Sequence, residues 1–264
     1  MTDYLYEVAI PNFQQLIDQK NVCSAIKDNK GRIVCATALY AKESGFEDWR
    51  DLIGVSYNSN LEKIEEISRP NDKQILLEIK KYCNKLAILE QAVIVERTVA
   101  SYIELFPYQN FYKSSIGTMI PIMDLTGNAV GIQVFFSAYE LFGIEDYFKQ
   151  FQQPNKTLAK FSESVMIESV KLTRRELEIT YLLAHGFSQY QISGILQITR
   201  GTVSKIISNQ ICPKFNIHGS NTKLLINKVK KLDYLKNPPQ SLLKPLIIIL
   251  DDNINRKYFP TLDV

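Results

Sequence analysis

Between residues 171 and 236 the chain carries eleven Lys and Arg against three Asp and Glu, a local charge of +8 in a protein whose net charge is only +3. Ammonium and guanidinium groups at this density neutralise a polyanion, and a basic stretch within a near-neutral chain points to nucleic acid. Other chemistries that a sequence can advertise are missing. There is no GxSxG, no phosphate-cradling glycine loop, no HExxH and no Cys/His pair in a catalytic context. Residues 1–139 hold 17 acidic side chains, scattered as a solvated surface would have them. The chain reads as a non-enzyme.

The four cysteines, Cys23, Cys35, Cys83 and Cys212, form no CxxC pair, which favours reduced thiols over disulfides or zinc. The two histidines are His185 and His218, so a histidine-ligated haem in the first 184 residues is excluded, and no cofactor or metal is otherwise marked. The longest apolar run, Leu246–Leu250, falls far short of the ~20 residues of a membrane helix, and Met1–Glu7 lacks the pattern of a signal peptide. A cytoplasmic protein with no membrane partner is expected. Its 264 residues, 45% hydrophobic, suffice for one large domain or two ordinary ones.

The elements of the first half alternate between the two periods. Cys23–Lys27 and Arg32–Thr37 flank Asp28-Asn29-Lys30-Gly31, a hairpin signal, and a short helix over Ala38–Ser44 stops at Gly45. Asp72–Leu89 repeats at helical spacing, and strands are predicted near 93–106, 115–124 and 129–138. Pro121, inside the second of these, calls for a bulge or an exposed edge. Two short strands, small helices and three long antiparallel strands resemble a PAS domain over residues 1–139. Apolar stripes through Leu141–Phe151 and through Leu158, Phe161, Val165 and Leu172 predict a helical connector at 140–170, there either to dimerise or to pack on the sheet.

Residues 171–236 hold four helical stretches, each with one apolar stripe. They are marked by Ile179, Leu182 and Leu183; by Ile192, Ile195 and Leu196 behind a Ser188 cap; by Val203, Ile206, Ile207 and Ile211 behind Thr199; and by Leu225, Val229 and Leu232 after Ser220. Only four residues link the second to the third, the steep joint of a helix-turn-helix. The stretches Leu172–Ile179, Leu183-Ala184-x-Gly186-x-Ser188 and Leu196-x-Ile198-Thr199-x-x-Thr202-Val203 resemble the LuxR-type DNA-binding domain, as does Lys214-Phe215-Asn216-Ile217.

That resemblance implies a third helix lying in the major groove, with Arg200, Ser204, Lys205, Ser208 and Asn209 facing the bases. It makes Ser188, Gln189, Thr202 and Lys214 candidates for phosphate contact, while Val203 and Ile207 read as core. Arg175 and Glu176 are expected to pair at the helix start. The family's Asn-Lys-Glu is replaced by Gln189-Tyr190-Gln191, one extra residue sits between Val203 and Lys214, and Pro213 is expected to end the recognition helix early.

The expected fold is therefore multidomain: an N-terminal α+β PAS-like antiparallel sheet with helices, then a C-terminal all-α four-helix helix-turn-helix. Residues 237–264 form an apolar tail whose Leu242, Leu243 and Leu246–Leu250 are too apolar to stand in water, and docking within the chain or a dimer contact would cover them. The expected function is a sequence-specific transcriptional regulator whose sensor controls its DNA-binding domain. The resemblance implies double-stranded DNA, a homodimer and contact with RNA polymerase, while the signal stays open between a ligand, a partner and dimer contacts, and a small-molecule ligand is unknown. The alternative is a protein-interaction or anti-activator module that has lost DNA reading.

Overall fold

The computed structural model describes residues 4–59, 61–68, 73–108, 111–139, 164–167, 170–219, 221–230 and 239–260. It divides into two compact units, Met1–Tyr139 with Pro245–Phe259, and Glu140–Lys244 with Pro260–Val264.

The first unit is built on an antiparallel sheet in the order β2-β1-β5-β4-β3-β8. Its strands are β1 (Cys23–Asp28), β2 (Ile33–Ala36), β3 (Ala100–Tyr108), β4 (Phe111–Met123), β5 (Ala129–Ala138) and β8 (Leu246–Ile249). The β1–β2 hairpin forms because the Asp28 carboxylate accepts the backbone N–H groups of Lys30 and Arg32, each at 2.9 Å, while Gly31 supplies φ +75°. Asp124 does the same for the β4–β5 turn, accepting from Thr126 and Asn128 ahead of a Gly127 at φ +82°. Thr37 caps α2 (Ala38–Glu43) by accepting from the Tyr40 N–H.

The long helix α4 (Lys73–Glu96) and α2 cover one face of this sheet, following the short α3 (Leu61–Ser68). Leu86, Leu89 and Val93 from α4 meet Ala25, Val134 and Met119 from the strands in one core. The other face of β1 and β2 is closed by α1 (Ile10–Ile17) and the π turn before it, through Leu5 and Phe13 on Ile26 and Cys35. Covered on both sides, β1 buries even Lys27. Its ammonium meets Glu90 of α4 at 2.6 Å, with the two side chains 1% and 3% exposed, and lies 3.6 Å from the centre of the Tyr57 ring.

Two expectations are corrected here, and a third, docking of the apolar tail within the chain, is met by a strand. The run Val93-Ile94-Val95 has strand propensity, yet it continues α4 to Glu96, because Val93 falls on the buried stripe begun by Ile79 and Leu86. Arg97, at φ +54°, then ends the helix, and the strand starts at Ala100. Most of the predicted helical connector lies outside the described residues. Its last part is a β-hairpin, β6 (Ser164–Ile167) with β7 (Val170–Thr173), so Leu172 is buried on a strand and not on a helix. The apolar segment near the end of the sequence is β8, paired with β3 from Tyr102↔Ile249 to Leu105↔Leu246. It is followed by α9 (Asp252–Tyr258), whose Lys257 ammonium and Tyr258 hydroxyl both reach Glu96 on α4. Pro121 stands two residues beyond the last β3–β4 pair, Ala100↔Met119, and beside a register shift at Ile122/Met123, so the sheet loses little to its missing N–H.

Removing one partner of a buried pair strands the other's charge. Lys27→Met is therefore expected to destabilise the protein by about 3 kcal/mol, while Lys27→Met with Glu90→Leu recovers most of that loss. Urea denaturation of the full chain measures both, and equal losses from the single and double variants would show that the pair is not coupled.

Candidate nucleic-acid interface

The second unit carries α5 (Arg174–Ala184), α6 (Gln189–Leu196), α7 (Arg200–Ile206) and α8 (Thr222–Val229). Each start is fixed by a short polar side chain. Thr173 and Glu176 form a capping box on α5: the Thr173 N–H donates to the Glu176 carboxylate at 2.7 Å, and the Glu176 N–H to the threonine hydroxyl. Ser188 and Gln191 repeat it on α6, so the glutamine that replaces the family's glutamate keeps the reciprocal bond without its charge. Gln197 turns the chain at φ +53°, and Thr199 caps α7 by accepting the Thr202 N–H at 3.0 Å. The cap of α8 is Asn221, one residue after the expected Ser220; Ser220 and Leu232 lie outside the described residues.

Pro213 does not end the recognition helix. α7 runs on through a π turn, Ile207–Ile211, into a last α turn, Cys212–Lys214. A π turn accommodates one more residue than an α-helical ladder does, and widening that turn also relieves the ring of a following proline. The extra residue and the proline, read in the sequence as two departures, are thus one structural event. Val203, Ile207 and Ile211 stay buried on either side of it.

The opposite side of this element faces solvent. Arg200, Thr202, Lys205 and Asn209 are exposed, and Ser204 and Ser208 are half-buried between them. No ion pair engages Arg200 or Lys205 among the described residues, whereas the Ser208 hydroxyl donates to the Asn209 side chain at 2.8 Å. Ser188 is exposed at the start of α6 and Gln189 half-buried beside it. The structure therefore puts eight of the predicted positions on two helix starts and one exposed face.

Lys214 is employed differently. Its ammonium donates to both carboxylate oxygens of Glu176, at 2.8 and 2.6 Å, and the Glu176 side chain is only 3% exposed. The expected Arg175–Glu176 pair is not made: Arg174 and Arg175 both converge on the buried Glu178. Two side chains whose structural roles were not foreseen in the sequence, Gln191 and Lys228, also hold the frame; Lys228 donates to the Phe215 carbonyl at the end of the recognition element. The Ser-x-x-Gln spacing could have revealed the first, while nothing local announces the second.

Residues 170–224 match the family described as bacterial regulatory proteins, luxR family. Among solved structures the chain is similar to VqmA bound to DPO, with a TM-score of 0.54 at 18% identity over 92% of this chain and 98% of that one. The Vibrio cholerae VqmA dimer in the absence of target DNA gives 0.48 at 19% identity over 90% and 95%, and the PAS domain of Bordetella pertussis BvgS gives 0.40 at 14% over 55% and 94%. Comparison with curated proteins gives no match. The fold is an antiparallel sheet with helices, PAS-like in its order of elements, together with a helix-turn-helix that the luxR family matches. Among the described residues no helix is long and apolar enough to cross a membrane.

Burial would raise the Glu176 carboxyl, but the hydrogen bonds from Lys214 and Thr173 and the lysine's charge outweigh it and hold the pKa below the usual glutamate range. A depressed folded pKa gives stability that is complete above the ordinary value of about 4.3 and is lost as pH falls through the depressed one. Lys214→Ala is expected to cost about 2 kcal/mol, less than a fully enclosed pair because a third of the lysine reaches solvent. It should also flatten the acid limb of the stability curve of the full chain; a limb unchanged by the substitution would refute the assignment.

Proposed function

We propose, from the LuxR-type helix-turn-helix domain at residues 170–224, that the chain is a sequence-specific transcriptional regulator whose PAS-like unit senses a signal and controls DNA reading. The observation that carries this reading is the exposed face of α7, where Arg200 and Lys205 stand free of ion pairs on a frame fixed by three side-chain caps. A guanidinium or ammonium so held donates to guanine O6 and N7, and the serines between accept a range of bases. Phosphate contacts fall to Ser188, Gln189 and Thr202, with Lys214 reaching phosphate only through the solvent side of its pair with Glu176.

The reading includes a homodimer with two recognition elements on adjacent half-sites, RNA polymerase as a further contact, a cytoplasmic setting and no catalytic step. The likeness in fold to VqmA bound to DPO supports a signal that acts by binding. A signal that changes the packing of the PAS-like unit then shifts the population able to bind DNA.

Selection from random duplex DNA tests this directly. The wild-type protein enriches one sequence and its affinity falls steeply with salt, while Lys205→Ala costs about 1–3 kcal/mol at one base position and lowers the salt slope by about 1. Binding without an enriched sequence, unchanged by Lys205→Ala, would move the assignment to a protein-interaction module. A mass that stays at the monomer value across protein concentration would remove the dimer.

A further inference from the structure

The π turn within the recognition element changes which side chains that element offers. Position 210 stands three residues after Ile207 and seven after Val203, the two spacings that share the buried stripe of an α-helix. An unbroken α ladder would therefore turn the Gln210 amide into the apolar core. Instead the Cys212 N–H bonds to the Ile207 carbonyl five residues back, and the wider turn rotates everything after it. Ile211 takes the place on the buried stripe, and Gln210 is exposed.

The side chain so displaced differs chemically from its neighbours. Arg200 and Lys205 carry donors only. The Thr202 hydroxyl bonds to that of Thr199, and the Asn209 side-chain oxygen accepts from the Ser208 hydroxyl at 2.8 Å. Of the two amides on the recognition element, Gln210 alone keeps both its oxygen and its NH2 group without a hydrogen-bond partner among the described residues. Buried Ile207 and Ile211 on either side hold its backbone in place.

We propose that Gln210 reads an adenine in the major groove, its oxygen accepting from N6 and its NH2 group donating to N7. The inference rests on the reading of the chain as a sequence-specific regulator and adds a base contact at the residue that the π turn brings outward. Guanine presents two acceptors side by side and suits the cations of Arg200 and Lys205, whereas adenine presents one acceptor and one donor and suits a free amide. A phosphate only accepts and would leave the amide oxygen idle. Gln210 follows Lys205 by five residues, about 7.5 Å along a helix axis, or roughly two base-pair steps, so the two side chains reach different base pairs.

Selection of the full chain from random duplex DNA, run in parallel for the wild type, Lys205→Ala, Gln210→Ala and Gln210→Glu, tests the proposal. The wild type is expected to enrich an adenine at a position other than the one that Lys205→Ala relaxes. Gln210→Ala should relax that adenine, weakening the preferred site about tenfold and leaving a site already altered there almost unchanged. The salt slope should stay the same, because an amide releases no counterion. Gln210→Glu keeps the acceptor and loses the donor, so it should disfavour adenine at that position and favour cytosine. A loss from Gln210→Ala that is uniform across sequences, or an adenine retained by either Gln210 variant, would overturn the assignment. A wild type that enriches no sequence removes the regulator reading and this contact with it. Variants of Gln210 that select as the wild type does, while Lys205→Ala relaxes its own position, remove this contact alone.

Discussion

A single ammonium group fastens the long helix of the PAS-like unit to its sheet. Lys27 on β1 and Glu90 on α4 are 63 positions apart in sequence, and both are withdrawn from water to meet at 2.6 Å. Desolvating two charges costs several kcal/mol each, and only close contact in a poorly polarisable surrounding offsets it. The Tyr57 ring supplies a further favourable face for the ammonium. Apolar side chains of the same volume would leave the helix's register to shape alone. The directional contact does not, and with Glu90 held, Leu86, Leu89 and Val93 fall onto Ala25, Val134 and Met119. On the same face, Glu104 is held by the Tyr82 and Ser115 hydroxyls, with no ion pair among the described residues.

Local rules made much of the architecture legible. Asp28 and Gly31 announced their hairpin, Asp124 and Gly127 theirs, and Ser188 and Thr199 the starts of two helices, because in each case the determining bond spans fewer than five residues. The stripe Val203, Ile207 and Ile211 was equally plain. Where the reading failed or stopped short of the element, distant packing had the deciding role. Val93-Ile94-Val95 is helical because Val93 has a sheet to rest on, and Leu246–Ile249 is a strand because β3 offers an edge some 140 positions earlier. Pro213 misled for a different reason. A proline rule assumes an α-helical ladder, and the π turn before it is not one.

The candidate interface divides the same way. Residue types and spacing on α7 were enough to find its exposed face. They were not enough to separate Lys205, which stands free, from Lys214, which is bound to Glu176 from α5. A lysine's partner across two helices leaves no mark in the sequence around it, so a count of positive charges overstates the cations free to meet a polyanion. The +8 of residues 171–236 includes Lys214, Arg174 and Arg175, all engaged with buried glutamates inside the same unit.

Because β8 follows the helix-turn-helix in the chain yet belongs to the PAS-like sheet, the order of synthesis matters. A nascent chain that has already made all four helices of the helix-turn-helix unit still lacks the strand that covers the β3 edge. During that interval the domain that could grip DNA is finished and the domain that would govern it is not. Completion of the sheet waits on the longest-range strand pairing among the described residues, a slow kind of contact to form. The ribosome thus delivers the helix-turn-helix before the sheet is closed, and the pairing of a single edge strand completes the first unit.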